Sequence, residues 1–292
     1  MAFLVSSIVV IYALAYMPFL NFKKYSSKTS TSSYNIAFEP ALIPPLKLMR
    51  REGISVLEEW FRWGEEWSML LRFYGELKAT STVLEIGCGL GRIAFPLRYV
   101  LSKEGSYDGF EICRYKVDFL QQFHQAYPHF RFTWADVLNV HYNSTGQVKS
   151  ENYRFPYADE TFDTIFAASV FTHLLPEATA HYFAESARVL KPGGRCLFSF
   201  FLLDYYRKGH PRPLGFGKPS FNIDHSYGGY GDEFAVSNPN DPEAISAYRL
   251  KAVERFTSEA GLVAAQEPVA GMWSGTLNNW VGAQDLVILT KA

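Results

Sequence analysis

The chain has 292 residues, 48% of them hydrophobic, with 28 basic and 29 acidic side chains and a formal net charge of -1. This length suits one large α/β domain with extra segments. A near-neutral charge without clustered lysines and arginines argues against a nucleic-acid-binding surface. The three cysteines lack CxxC spacing, and no His, Asp and Glu residues show metal-ligand spacing, so the sequence predicts neither disulfides nor a metal site.

The N-terminal residues differ in composition from the rest of the chain. Residues 1–22 contain no charged side chain and precede Lys23, Lys24 and a stretch rich in serine and threonine. Since a helix needs about 20 apolar residues to span a bilayer, we expect 1–22 to be a membrane anchor and 23–40 a linker. The basic residues follow the apolar run, which places the rest of the chain in the cytoplasm. A signal peptide and an upstream start-codon artefact are the alternatives, and the artefact corresponds to a fully cytoplasmic protein.

Residues 41–80 are predicted to be an N-terminal helical segment, because apolar residues recur at helical spacing between 55 and 78. From residue 82 onward, short apolar runs alternate with helical patterns. Strands are predicted at 82–86, 106–111, 130–136, 161–169, 195–201, 262–268 and 283–290. Helices are predicted at 92–102, 114–126, 181–190 and 243–260, and KPGG at 191–194 is predicted to be a sharp turn.

This alternation predicts an α/β fold for residues 81–292, with a seven-stranded, mostly parallel Rossmann-like sheet and helices on both faces. The last two strands follow each other without a helix, which predicts an antiparallel final pair. Residues 202–242 are rich in Gly, Pro, Tyr and His. A segment of that length without regular pattern is typical of a lid-like insert.

A glycine-rich turn follows the first predicted strand, in VLEIGCGLGR at 83–92. Ligands of open α/β sheets bind beyond the carboxyl ends of the strands, and Gly87, Gly89 and Gly91 let the backbone approach a ligand closely. Glu85, at the strand end, can meet an ammonium group. A nicotinamide dinucleotide site needs its third glycine at position 92, where this chain has Arg92, so that alternative is disfavoured.

Two further acidic residues stand at the ends of the next two predicted strands. Glu111 lies 20 residues after Gly91, where a carboxylate can accept hydrogen bonds from ribose hydroxyls. Asp136 can accept from the exocyclic amine of adenine while the Val137 backbone contacts the edge of the ring. Each acid alone also has a structural explanation, as a cap, surface or turn residue. Their places at three successive strand ends favour one shared cofactor site.

The motifs VLEIGCGLGR, Glu111, WADV (134–137), FPYADETFDTIFAASVFTHL (155–174) and RVLKPGGR (188–195) are similar, in this order, to those of bacterial class I S-adenosylmethionine-dependent methyltransferases. The resemblance covers residues 80–202 and implies S-adenosylmethionine as the cofactor. The cofactor-binding residues that it implies are Glu85, Gly87, Cys88, Gly89 and Gly91 for the methionine part, Glu111 for the ribose, Asp136 and Val137 for the adenine, and Ser169 through its backbone. The chain departs from the family pattern at Glu85, where Asp is commoner, at Pro96 and in the extension 1–40.

Methyl transfer is an in-line displacement that depends on alignment and exclusion of water, so it needs no catalytic triad. The best-placed candidate for a general base is His173, four residues past Ser169, with a structural histidine as the alternative. We expect a small-molecule or lipid-like acceptor, and residues 202–242 (including His210, Asp224 and His225) and the region of Trp273, Asn278 and Trp280 are the candidates for binding it. The alternatives are an ordinary surface loop for the first set and aromatic packing in the core for the second. An aminopropyl-type transferase and a non-catalytic cofactor-binding module remain the alternative functions.

Overall fold

The computed structural model describes residues 40–206, 223–275 and 281–292. All of them belong to the unit Glu39–Ala292. The predicted anchor at 1–22 and the linker up to residue 39 lie outside the described residues. Within the part of the chain that is described, no helix is long and apolar enough to cross a membrane.

The N-terminal helical segment consists of short turns followed by one long helix. Helix α1 (Leu46–Met49) lies between 3-10 turns at Pro40–Leu42 and Arg50–Glu52. Helix α2 (Leu57–Phe73) has acidic residues in its first turn and a basic residue in its last, and these charges interact favourably with the helix dipole. Its buried face includes Trp67, which stacks on Phe166 at 5.7 Å between ring centroids. The predicted helical segment is therefore packed against the sheet.

The remaining elements follow in chain order. The strands are β1 (Thr82–Ile86), β2 (Ser106–Glu111), β3 (Phe130–Trp134), β4 (Val137–Leu138), β5 (Val148–Lys149), β6 (Phe162–Ala167), β7 (Leu190–Phe200), β8 (His225–Ser226), β9 (Phe234–Val236), β10 (Ser246–Tyr248), β11 (Leu262–Ala264) and β12 (Asp285–Lys291). The other helices are α3 (Ala94–Leu97), α4 (Arg114–Phe123), α5 (Pro176–Val189) and α6 (Leu250–Glu259).

The main sheet has seven strands in the order β11-β12-β7-β6-β1-β2-β3. Strand β12 runs antiparallel to both β11 and β7, and the other neighbouring strands are parallel. The predicted seven-stranded, mostly parallel sheet with an antiparallel final pair is confirmed. Because β1, β2 and β6 are parallel neighbours, their carboxyl ends lie side by side.

Three local predictions were wrong. The KPGG residues at 191–194 lie inside β7, where the pairing with β6 shifts register and absorbs the extra residues as a bulge. The helix predicted at 243–260 begins at Leu250, because Ser246–Tyr248 pairs with β9 and the buried Tyr248 hydroxyl donates to the Leu174 carbonyl at 2.6 Å. The helix predicted at 92–102 is regular only in α3, where Pro96 has no N–H to continue the hydrogen bonding.

The predicted lid-like insert contains regular structure. Strands β8 and β9 lie within it and form a three-stranded antiparallel sheet with β10. Phe234 of β9 packs on Tyr248 of β10, with 4.9 Å between ring centroids, and both are fully buried. This part of the insert is therefore continuous with the hydrophobic core. Residues 207–222, with His210, lie outside the described part.

Candidate cofactor-binding site

A cavity of about 510 Å³ lies at the carboxyl ends of β1, β2 and β6. Small-molecule sites are typically about 300–1,000 Å³, so its volume suits a ligand of cofactor size. The predicted site residues that line it are Glu85, Gly87, Cys88, Gly89, Glu111, Val137, Ser169 and His173. Gly91 and Asp136 are not among the lining residues.

The glycine turn brings bare backbone to the cavity. Gly89 has a φ of +54°, and a Cβ built on it would find its nearest neighbour, Oε2 of Glu52, only at 3.9 Å. Any side chain there would occupy ligand space. Gly91, at φ +77°, serves packing instead, because its Cβ would lie 2.6 Å from Cδ2 of Leu120 on α4. The turn thus combines an open face toward the cavity with a closely packed face toward α4.

Glu85 places a buried carboxyl group at the cavity. Its side chain is 2% exposed and accepts a hydrogen bond from the Tyr107 hydroxyl. Burial raises the pKa of Glu85 to about 8, while Tyr107 and Arg92 lower it and Glu111 raises it. The group is therefore largely protonated at neutral pH, and a cation bound beside it would favour the carboxylate.

The Glu111 carboxylate is fixed by two backbone donors. The Gly89 N–H donates to its Oε2 at 2.9 Å, and the Cys113 N–H donates to its Oε1 at 2.8 Å. A carboxylate oxygen can accept more than one hydrogen bond. Glu111 is thus held in place and retains acceptor capacity for ligand hydroxyls.

Asp136 has a different environment from the one that its position in the sequence suggests. Strand β3 ends at Trp134, and the chain then enters the short pairing of β4 with β5. Asn143 donates to Oδ1 of Asp136 at 3.2 Å. Asp136 therefore takes part in the local hydrogen bonding of this segment, while Val137 and Asn139 line the cavity.

The turn after β6 is held by a hydrogen-bond network. Ser169 has a φ of +60°, a strained value for a residue other than glycine. Its N–H donates to Ser199 Oγ at 2.8 Å, and the hydroxyls of both serines donate to Oε1 of Gln284 at 3.0 and 2.7 Å. Ser199 and Gln284 carry no motif in the sequence, and only their contacts reveal this role.

His173 lies in the 3-10 turn Phe171–His173 and lines the cavity. Its Nδ1 is 3.0 Å from the Glu243 carbonyl oxygen. Because a carbonyl can only accept, Nδ1 carries the hydrogen and Nε2 keeps a lone pair. Burial lowers the pKa of His173, against backbone contacts with Glu243 and Ala244 that raise it. A neutral imidazole that can accept a proton therefore faces the site.

Several residues of the cavity wall were missed by sequence reasoning. Glu52, Trp60 and Trp63 line it from the N-terminal helical segment, and Lys116 and Tyr142 line it from the other side. The indole N–H of Trp60 is buried without a hydrogen-bond partner, so a polar group of a ligand can satisfy it. In the sequence, only the helical spacing of the tryptophans pointed to this part of the cavity wall. No pattern in the sequence pointed to Lys116.

Of the residues predicted to bind the acceptor, none that the structure describes lines the cavity. Trp273 does not line the cavity: it is buried, donates to Oδ2 of Asp285 at 2.6 Å and stacks on Tyr206 at 5.3 Å. Asp224 and His225 are exposed and are also absent from the cavity wall. Asn278 and Trp280 lie outside the described residues.

Residues 84–198 match a family model described as a methyltransferase domain. A chain of the Haloferax volcanii complex between the Trm112 methyltransferase activator and a methyltransferase has a TM-score of 0.52 and 15% identity, covering 84% of this chain and 93% of that chain. A SAM-dependent methyltransferase from Aquifex aeolicus has a TM-score of 0.50 and 14% identity, covering 83% and 96%. The CcbJ methyltransferase from Streptomyces caelestis has a TM-score of 0.50 and 16% identity, covering 78% and 89%. At these identities the structural similarity establishes the shared fold.

Proposed function

Since residues 84–198 belong to the class I S-adenosylmethionine-dependent methyltransferase family, we propose that the chain transfers a methyl group to a small-molecule or lipid-like acceptor. The cofactor of this domain is S-adenosylmethionine, which supplies an electrophilic methyl group when bound. The observation that carries the proposal is the convergence of Glu85, the open Gly89 backbone and Glu111 on one cavity.

Each cavity residue has a role in this proposal that follows from its contacts. The buried Glu85 meets the ammonium group, which favours its charged form, and Gly87, Cys88 and Gly89 let the methionine part lie against the backbone. Glu111 accepts from the ribose hydroxyls. Val137 contacts the adenine, and Ser169 lies beside the cofactor through its backbone. The adenine contact of Asp136 is not part of the proposal, because Asp136 does not line the cavity.

His173 is the candidate general base. Its Nε2 lone pair can accept a proton from an acceptor hydroxyl as the methyl group is transferred. The hydrogen bond from Nδ1 to the Glu243 carbonyl fixes the tautomer that this step requires. An amine or thiol acceptor needs less help from a base, so the contribution of His173 depends on the acceptor.

Calorimetry with S-adenosylmethionine tests the cofactor site, and the variant Glu111→Gln is compared with Glu254→Gln, which changes an exposed residue of α6. We expect only the first to lose affinity. Release of S-adenosylhomocysteine, with mass spectrometry of a labelled product, then tests transfer. Binding without release in any extract would favour the non-catalytic module, and transfer only from the decarboxylated cofactor would favour the aminopropyl reaction.

We also propose, from the sequence of residues 1–22 alone, a cytoplasmic catalytic domain tethered to a membrane. A tether raises the effective concentration of membrane-associated acceptors. The full chain is expected in the membrane fraction, and a chain beginning at residue 23 in the supernatant with unchanged cofactor affinity. Recovery of both chains in the supernatant would contradict the tether.

A further inference from the structure

A buried ion pair joins the N-terminal helical segment to the cofactor cavity. Nζ of Lys116 on α4 lies 2.8 Å from Oε2 of Glu52 and 3.8 Å from Oε1 of Glu111. The Lys116 side chain is 4% exposed and that of Glu52 is 22% exposed. All three groups line the cavity. Lys116 therefore contacts the proposed ribose-binding carboxylate and a carboxylate from another part of the chain.

Glu52 belongs to residues 40–54, which we name the N-terminal cap. Leu42, Met49 and Ile54 of the cap pack with Trp60 and Phe95 in one apolar cluster. This packing ties the cap to α2.

The other side of the cap reaches α4. There Arg51 lies over the Tyr115 ring at 5.5 Å, an exposed contact, whereas the Glu52–Lys116 pair is largely shielded from water. Exposed charge contacts contribute little, while breaking a buried pair leaves an uncompensated charge. The pair is the stronger polar link between the cap and α4.

The cap also forms part of the cavity wall. Arg51, Glu52, Gly53 and Ile54 all line the cavity. Oε2 of Glu52 is the atom nearest to the position of a Cβ on Gly89, at 3.9 Å, so the carboxylate lies over the glycine turn. A ligand that occupies the space above Gly89 must therefore contact or displace Glu52.

The positive charge of Lys116 strengthens its contacts with Glu52 and Glu111. Burial opposes the positive charge of Lys116, but Glu111 and Glu52 outweigh it and raise the pKa of the lysine. Tyr142 adds a ring face 5.4 Å from Nζ. The ammonium thus stays charged and lies close to both carboxylates, each of which lines the cavity.

We propose that the Glu52–Lys116 pair is a latch that holds the N-terminal cap closed over the cofactor, so that cofactor exchange requires the pair to open. The proposal rests on the proposed function, since it takes this cavity as the cofactor site. Lys116 also acts as a positioning residue for Glu111. A latch controls rates: breaking it accelerates both entry and release of the cofactor, and the equilibrium affinity changes less than either rate.

Stopped-flow fluorescence measures these rates in the full chain, because Trp60 and Trp63 line the cavity and report its occupation. The variants are Glu52→Gln, Lys116→Met and their combination, with S-adenosylmethionine as the ligand. The control Lys251→Met removes an ammonium group that lies 2.8 Å from Asp232, on an exposed surface outside the cavity wall. We expect association and dissociation to rise together, by about tenfold, in Glu52→Gln. The double variant should bind and release the cofactor no faster than the faster single variant does, and the rates of the control should equal those of the wild type.

The outcomes separate the two proposals. Failure of the wild-type chain to bind the cofactor would overturn the proposed function. Wild-type binding with unchanged rates in Glu52→Gln would overturn the latch, as would faster release at an unchanged association rate, which indicates lost affinity only. Thermal melting identifies variants that fail to fold. If Lys116→Met is among them, Glu52→Gln still decides, because Glu52 is partly exposed and its amide keeps the size of the side chain.

Discussion

Replacing Glu85 by glutamine should stabilise the cofactor-free protein and weaken its binding of S-adenosylmethionine. Glu85 is 2% exposed, and burial raises its pKa to about 8. The nearby Glu111 also raises this pKa, whereas Tyr107 and Arg92 lower it. Glutamine has nearly the same size, and its amide oxygen can still accept the Tyr107 hydrogen bond. It removes only the charge that the buried site disfavours.

The magnitude follows from the pKa of Glu85 in the two states. The ordinary glutamate pKa of 4.5 represents the unfolded chain, and the folded pKa is about 8. Since the folded pKa is raised, the associated stability is fully present below pH 4.5 and is lost as the pH rises through about 8. One pKa unit is about 1.4 kcal/mol, so ionising Glu85 in the folded protein costs on the order of 5 kcal/mol. Glutamine avoids this cost, and its stabilising effect should grow over that pH range.

Cofactor binding should change in the opposite direction. A hydrogen bond between a carboxylate and an ammonium group contributes about 1.5–3 kcal/mol, so Glu85→Gln should raise the Kd roughly 10- to 100-fold. Melting temperatures measured across the pH range, and calorimetry with the cofactor, check both effects against the exposed control Glu254→Gln. A variant that is no more stable than the wild type above pH 8 would refute the reasoning about burial. Unchanged affinity would refute the ammonium contact.

Other substitutions test the remaining features of the fold and site. Gly89→Ala should raise the cofactor Kd about tenfold at a stability cost of about 1–2 kcal/mol. Gly91→Ala places a methyl group 2.6 Å from Leu120 and should mainly lower the melting temperature. The reverse pattern would contradict the roles assigned to the two glycines. Asp285→Ala removes a buried acceptor of three N–H donors and should lower the free energy of unfolding in urea by more than about 3 kcal/mol; a wild-type value would contradict this. His173→Gln should leave the cofactor Kd unchanged and lower kcat about 100-fold or more for a hydroxyl acceptor. Because the pKa of His173 is lowered, the wild-type rate should fall only at pH values below 6.5, and a variant that keeps that fall would exclude His173 as the base.

The cavity residues that belong to one continuous motif could be predicted from the sequence. Glu85 lies near the end of the strand that the apolar run at 82–86 identifies, the glycines follow that strand, and parallel topology then places Glu111 at the same edge. Asp136 does not line the cavity: β3 ends at Trp134, two residues earlier, and the Asp136 carboxylate accepts a hydrogen bond from Asn143.

The sequence by itself determined the seven-stranded sheet and the glycine turn, because hydrophobic periodicity and glycine spacing are properties of continuous segments, and its motifs resembled those of a family that uses S-adenosylmethionine. Only the tertiary structure decided the Glu52–Lys116 pair, whose members are 64 positions apart, and the network that joins Ser169 to Gln284. The raised pKa of Glu85 also depends on the fold, since burial removes the water that would otherwise solvate the carboxylate. Contacts between distant segments and the exclusion of water are set by packing, and no local pattern in the chain encodes them.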